Sequence, residues 1–237
     1  MAHLYDFFAT RPNVDFFYHY AKKTSQVLDI GAGTGRLALP LAERGIEVFC
    51  VEPSPAMRSV FKEKLDDRPH LKGKITLIPG DAHSFDYGRT FPLACLSAMF
   101  DHFLTDEERI ASLTNIARHL EPAGTLVFDV FFGYMKDEEL SPAGEAQAGD
   151  ATYKRFVGGK VVGNVKKYLI VCEIHKQGKL IERIEQYSSA GITDYNTLHR
   201  LLTQSGFKVK QEFSDYEFTP YKPDDELLIV EAVKKGG

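Results

Sequence analysis

Three glycines at alternate positions follow an acid in this chain: Asp29-Ile30-Gly31-Ala32-Gly33-Thr34-Gly35. The run that ends there, from Val27, is apolar and β-prone, and a helical pattern of leucines begins at Leu37. A strand must end at the acid and the backbone must turn sharply, leaving open space for whatever approaches. Glycine permits that turn because it carries no Cβ. A helix starting near Gly35 would aim its unpaired N–H groups at a bound group. A second acid, Glu52, closes the apolar run Ile46–Val51, 21 positions after Gly31. A carboxylate at the end of a second strand can accept hydrogen bonds from both hydroxyls of a ribose. A third, Asp81, stands in Pro79-Gly80-Asp81-Ala82 after the run Ile75–Ile78. Asp101 and His102 follow the run Phe91–Met99, and an imidazole titrates near neutrality, where it can take up a proton.

The third glycine sits two residues after the second, so the place that Gly-x-Gly-x-x-Gly gives to glycine is here Arg36. That other spacing belongs to dinucleotide-binding turns. Asp-x-Gly-x-Gly-x-Gly resembles the first motif of the class I S-adenosylmethionine (SAM) dependent methyltransferases. The resemblance implies that Asp29 and the backbone around Gly31, Ala32, Gly33 and Arg36 hold the amino-acid end of the cofactor. It puts the ribose on Glu52, next to Pro53, and the adenine at Asp81-Ala82. Met57 would pack against adenine or in the core, and Met99 completes the cofactor set. The reaction centre falls at Asp101 and His102. His102 is there either a base or a histidine that only hydrogen-bonds the cofactor or its own loop. Tyr5 and Tyr18, in an aromatic N-terminal segment, are the lid and substrate candidates. No metal is implied.

The same resemblance implies the fold: a Rossmann-like αβα sandwich, seven-stranded and mostly parallel, with an antiparallel last strand. Residues 1–135 would hold the lid and the SAM-binding core, 136–192 an inserted loop and antiparallel cap strands, and 193–237 the completion of the core. The pattern supports these elements locally. Ser54-Pro55 is an N-cap followed by a favourable first helical residue. Thr105 to Glu108 is a capping box, and Ile110, Leu113, Ile116 and Leu120 share one helix face. Residues 136–152, rich in Ala, Gly and Glu, read as a loop. Gly158-Gly159 reads as a two-residue hairpin turn and Gly178 as a second turn, giving about three antiparallel strands. In the small-molecule methyltransferases that the chain resembles, such an insertion covers the active site or makes a homodimer surface; the other reading is an accessory sheet with no role in substrate choice. Thr193 is the expected cap of a last helix, before strands near Phe207–Phe213 and Glu226–Val233.

The chain has 237 residues and a net charge of −4, against the basic excess usual in nucleic-acid binders. The Asn/Asp-Pro-Pro-aromatic element of base methyltransferases does not occur after the fourth strand, so no nucleic-acid partner is expected. No apolar run approaches the roughly 20 residues of a membrane span. Cys50, Cys95 and Cys172 are odd in number and far apart, and the N-terminus lacks a signal-peptide pattern. A cytoplasmic enzyme follows, transferring methyl from SAM, with S-adenosylhomocysteine (SAH) as product, to N or O of a small-molecule acceptor. The competing readings are a non-catalytic SAM-binding protein, an RNA or protein methyltransferase, and an NAD(P)-linked oxidoreductase.

Overall fold

Five apolar runs become parallel strands of one sheet: Gln26–Ile30 (β1), Glu47–Glu52 (β2), Ile75–Pro79 (β3), Phe91–Leu96 (β4) and Leu120–Phe131 (β5). The computed structural model describes residues 2–8, 13–133 and 136–236. Phe207–Phe213 (β10) and Leu227–Lys234 (β11) complete the sheet in the order β10-β11-β5-β4-β1-β2-β3. Strand β11 runs antiparallel to both its neighbours, as expected for the last strand. Val27, Leu28 and Ile30 are wholly buried, because β1 is central and covered on both faces.

Two cores lie on the two faces. Asp106–Arg118 (α5) and Tyr195–Gln204 (α6) bring Leu113, Ile116, Leu198 and Leu201 to one. Val14–Ala21 (α2), Ala38–Glu43 (α3) and Pro55–Asp66 (α4) bring Phe16, Phe17, Leu41 and Phe61 to the other. The capping signals hold. Thr105 and Glu108 form the reciprocal box, and Ser54 Oγ accepts from Met57 N. The first helical bond after the glycine turn runs from Leu39 N to Gly35 O, although regular α3 begins at Ala38.

The inserted segment departs from the sequence reading. It is a four-stranded antiparallel sheet, Glu138–Ala148 (β6), Ala151–Val162 (β7), Val165–Lys176 (β8) and Lys179–Gly191 (β9), in that spatial order. The supposed loop is thus strand β6. It lies at an edge and is mostly exposed, so it needs no apolar alternation and tolerates Pro142. Gly158 and Gly159 are not a turn but sit inside β7. A Cβ on Gly158 would lie 2.8 Å from the backbone of Leu140, and one on Gly159 2.9 Å from the Lys166 side chain. The turn falls instead at Gly163-Asn164, between β7 and β8. Gly178 does turn the chain. Asp194, not Thr193, caps α6, accepting from Thr197 N.

Gly35 shows how tightly the turn is fixed. Its φ is +82°, and a Cβ there would lie 2.6 to 2.9 Å from the buried Phe61 ring. Gly35→Ala is therefore expected to destabilise the chain by about 2–4 kcal/mol, from left-handed backbone strain plus overpacking. Urea unfolding measures this. A loss below about 0.5 kcal/mol, within the range of inert surface changes, would mean that the loop shifts freely away from Phe61.

Candidate active site

The glycine turn is hung on the end of β2. Gly31 N and Ala32 N both donate to Val51 O, at 2.8 and 3.1 Å. Glu52 then reaches back: its Oε2 accepts from Gly33 N and its Oε1 from Ser54 N, each at 2.8 Å. Each carboxylate oxygen keeps a lone pair for a ligand hydroxyl. A Cβ on Gly31 would lie 2.3 Å from Met99 Cγ, so that glycine leaves room for Met99 beside the turn.

Asp29 is 2% exposed, and its Oδ2 has no hydrogen-bond partner among the described residues. Burial pushes its pKa up to about 7; the Arg36 charge opposes this and the Glu52 charge adds to it. Arg36 is itself locked. Its Nη1 donates to Asn13 Oδ1 and its Nη2 to Ser97 Oγ, both at 2.7 Å, while Asn13 Nδ2 donates to the same Oγ at 2.6 Å. Asp29, Arg36, Glu52 and Ser97 line a cleft of about 430 Å³, with Gly31, Ala32, Gly33, Pro53, Met57 and Met99. Asp81 is exposed and Ala82 buried in the core, both just after β3. Neither lines the cleft.

A second cavity of about 530 Å³ adjoins the first, between the core strand ends and the inserted sheet. Asp101 and His102, on a short 3₁₀ turn at Phe100–His102, both line it. Asp101 Oδ2 accepts from Phe131 N at 3.4 Å. His102 is open to solvent on one side, yet enough protein surrounds it for desolvation to lower its pKa, against the pull of Glu52. It is therefore neutral at neutral pH. Tyr5, Met57, Ala98, His102 and Gln186 line both cavities and mark their junction.

Tyr5 lies on Ala2–Phe8 (α1). Its neighbour Asp6 accepts from Thr34 Oγ1 at 2.8 Å and pairs with Lys64. Tyr18 faces elsewhere: Arg44 stands over its ring at 4.8 Å, and it lines neither cavity.

Three cavity residues escaped the sequence reading. Asp129, 4% exposed at the end of β5, accepts from Ala98 N at 2.6 Å and from Tyr216 Oη at 2.7 Å. Burial raises its pKa against those two bonds. Tyr216 and Gln186 come from a late loop and from β9. An acid at the end of the fifth apolar run was the one available signal.

Residues 27–124 match the family described as methyltransferase domain. An uncharacterized methyltransferase of Bacillus cytotoxicus, Bcer98_3087, is 33% identical over 138 residues, covering 54% of this chain and 62% of that protein. The chain thus spans under two thirds of that relative's length. Among solved structures, the CcbJ methyltransferase from Streptomyces caelestis has a TM-score of 0.83 at 18% identity, over 99% of this chain and 96% of that one. SAM-bound CalS10, an amino pentose methyltransferase from Micromonospora echinaspora, has a TM-score of 0.75 at 17% identity, over 96% and 92%. At these identities the shared feature is the fold.

The cleft fits SAM on its own terms. An ammonium would satisfy the orphaned Asp29 oxygen, and Glu52 offers its lone pairs at the ribose position. The pH dependence follows. Because the folded pKa of Asp29 lies above the unfolded value of 3.8, the folded chain holds the extra proton between those values. This group's contribution to stability is complete below the lower value and is lost as pH rises through about 7. Binding an ammonium requires the ionised form. SAH affinity is thus expected to rise up to tenfold per pH unit below about pH 7 and level off above it. Calorimetric titration checks this, with Asp29→Asn flattening the profile. A slope retained in that variant would assign the proton to another group.

Proposed function

We propose that this chain, which belongs to the class I SAM-dependent methyltransferase family, transfers a methyl group to the amine nitrogen of a small molecule held in the larger cavity. The observation that carries the reading is the junction of the two cavities at Tyr5, Met57, Ala98, His102 and Gln186. A cofactor seated on Asp29 and Glu52 and an acceptor seated under the inserted sheet meet there. Bound SAM supplies a methyl carbon made electrophilic by its sulfonium.

The chain's residues favour an amine over an oxygen. Asp101 and Asp129 give the acceptor cavity negative charge, which attracts an ammonium and disfavours a forming alkoxide. An ammonium has no lone pair, so its proton must leave first. His102, neutral at neutral pH, takes that proton at an imidazole nitrogen. The freed lone pair would then attack the methyl carbon in line, the C–S bond breaking with its electrons left on sulfur. Positioning carries most of the rate. The acceptor of CalS10, an amino pentose by its description, is of the class proposed. A partly apolar cavity of about 530 Å³ suits a small molecule rather than a duplex.

Incubation with labelled SAM and a panel of small amines and alcohols tests the reading. Label is expected on amines; transfer to alcohols alone would overturn it. His102→Ala should lower kcat by about 10²-fold, the lower end for a general base. SAH affinity should stay within about threefold, since less than 0.7 kcal/mol separates those values. The acid limb of kcat in the parent protein should fall below pH 6.5, because the His102 pKa is lowered from that value. Full turnover without His102 would leave positioning as the whole mechanism.

A further inference from the structure

The acceptor cavity keeps its charges apart. Asp101 and Asp129 belong to the floor, at the ends of the core strands, while Arg155 belongs to the roof, on β7. Among the described residues lining the cavity, Arg155 is the one arginine or lysine. Its guanidinium stands 5.8 Å from the Phe8 ring centroid, and it forms no ion pair among the described residues. The buried cation of the same sheet is treated differently: Lys166 is neutralised by Glu138 at 2.7 Å. A half-buried guanidinium left without a counter-charge beside a cavity is a site for an anion, and its planar fork suits carboxylate or phosphate oxygens.

The register of the sheet sets the distance. Strands β7 and β8 put Gly159 opposite Tyr168, Val157 opposite Ile170, and Arg155 opposite Cys172. Tyr168 lies at the carboxylate end, where its hydroxyl feels the Asp101 charge. Arg155 is four residues along β7 from that rung, roughly 13 Å at the rise of a strand. Val157 and Ile170 form an apolar rung between the two ends and also line the cavity.

We propose that Arg155 is an anion subsite, which binds a carboxylate or phosphate group carried by the acceptor at the end remote from its reacting amine. The ligand's identity as methyl acceptor rests on the methyl-transfer reading above; the anion subsite does not. The acceptor is then a molecule with charges at both ends, an amine over Asp101 and Asp129 and an anionic group on Arg155, joined by a spacer that crosses Val157 and Ile170.

Two measurements on the full chain test this, the first with SAH bound and the second with SAM turning over. In the first, inorganic phosphate and acetate are the probes, in thermal melts of the parent and of Arg155→Ala at constant ionic strength. Each anion is expected to raise the parent's melting temperature more than the variant's; equal shifts would overturn the subsite. In the second, labelled SAM and the parent protein are mixed with a small-molecule cell extract, and labelled products are passed over an anion exchanger at about pH 11, where amines are uncharged. Retention supports the proposal, and an unretained product overturns it. Loss of retention after phosphodiesterase and phosphatase treatment identifies a phosphate; retention after it identifies a carboxylate. For that acceptor, Arg155→Ala should raise KM at least tenfold with kcat within twofold, and Arg155→Lys should recover part of the loss. An unchanged KM in a folded Arg155→Ala would overturn the proposal. Anion binding through Arg155 without any labelled product would support the subsite and sink the methyl-transfer reading instead.

Discussion

Three carboxylates are buried at one edge of the sheet, at the ends of β1, β2 and β5: Asp29, Glu52 and Asp129. Apolar residues there would be at least as stable, since taking charges out of water costs more than their pairings usually return. The surroundings offset that cost unevenly. Glu52 has two backbone donors, and Asp129 has one backbone donor and a phenol. Among the described residues Asp29 keeps an oxygen without a hydrogen-bond partner, and its nearby cation, Arg36, donates to Asn13 and Ser97. Even the backbone is bent to this end: Ala98, which donates to Asp129, has φ +53°, a conformation that costs an L-residue about 1 kcal/mol or more. An edge so built favours a cationic ligand, which adds to the partial compensation that the Arg36 charge already gives Asp29 and Asp129. The ammonium and sulfonium of SAM are cations of this kind. The pyrophosphate of a dinucleotide would add to the repulsion, which is the physical case against the oxidoreductase reading.

The glycine turn and its flanking acids were legible because they are local. Asp29, Gly31, Gly33 and Glu52 lie at strand ends, where an apolar run stops and a glycine or acid begins, and the turn they imply is the turn that forms. The lining of the larger cavity was not. Asp129 meets Tyr216 across 87 residues and Ala98 across 31, and no spacing in one sequence announces such a pairing. Gln186 and Arg155 point into the cavity only because antiparallel pairing gives β7 and β9 a common inner face. Strand β6 was hidden for a related reason. Exposed along most of its length, it lacks the alternation that marks a half-buried strand, and its content of Ala, Gly and Glu suggested a loop. Gly158-Gly159 misled in the opposite direction: the pair marks a close crossing of strands, which demands the same small residue as a turn.

The two cavities share a wall, the short helix α1, which is held by few contacts. No residue of α1 is buried, and a helix of seven residues is not stable alone. It is fixed at both ends of the active site. Toward the cofactor turn, Asp6 binds Thr34 and Lys64. Toward the inserted sheet, Phe7 stacks on Tyr153 with ring centroids 4.6 Å apart, and Phe8 stands beside Arg155. Polar and ring contacts of this kind, with little apolar burial beneath them, place α1 among the segments that open at the lowest free energy. Tyr5, 43% exposed between these anchors, borders both cavities. Through Tyr5, α1 therefore contributes one wall to each cavity at their junction.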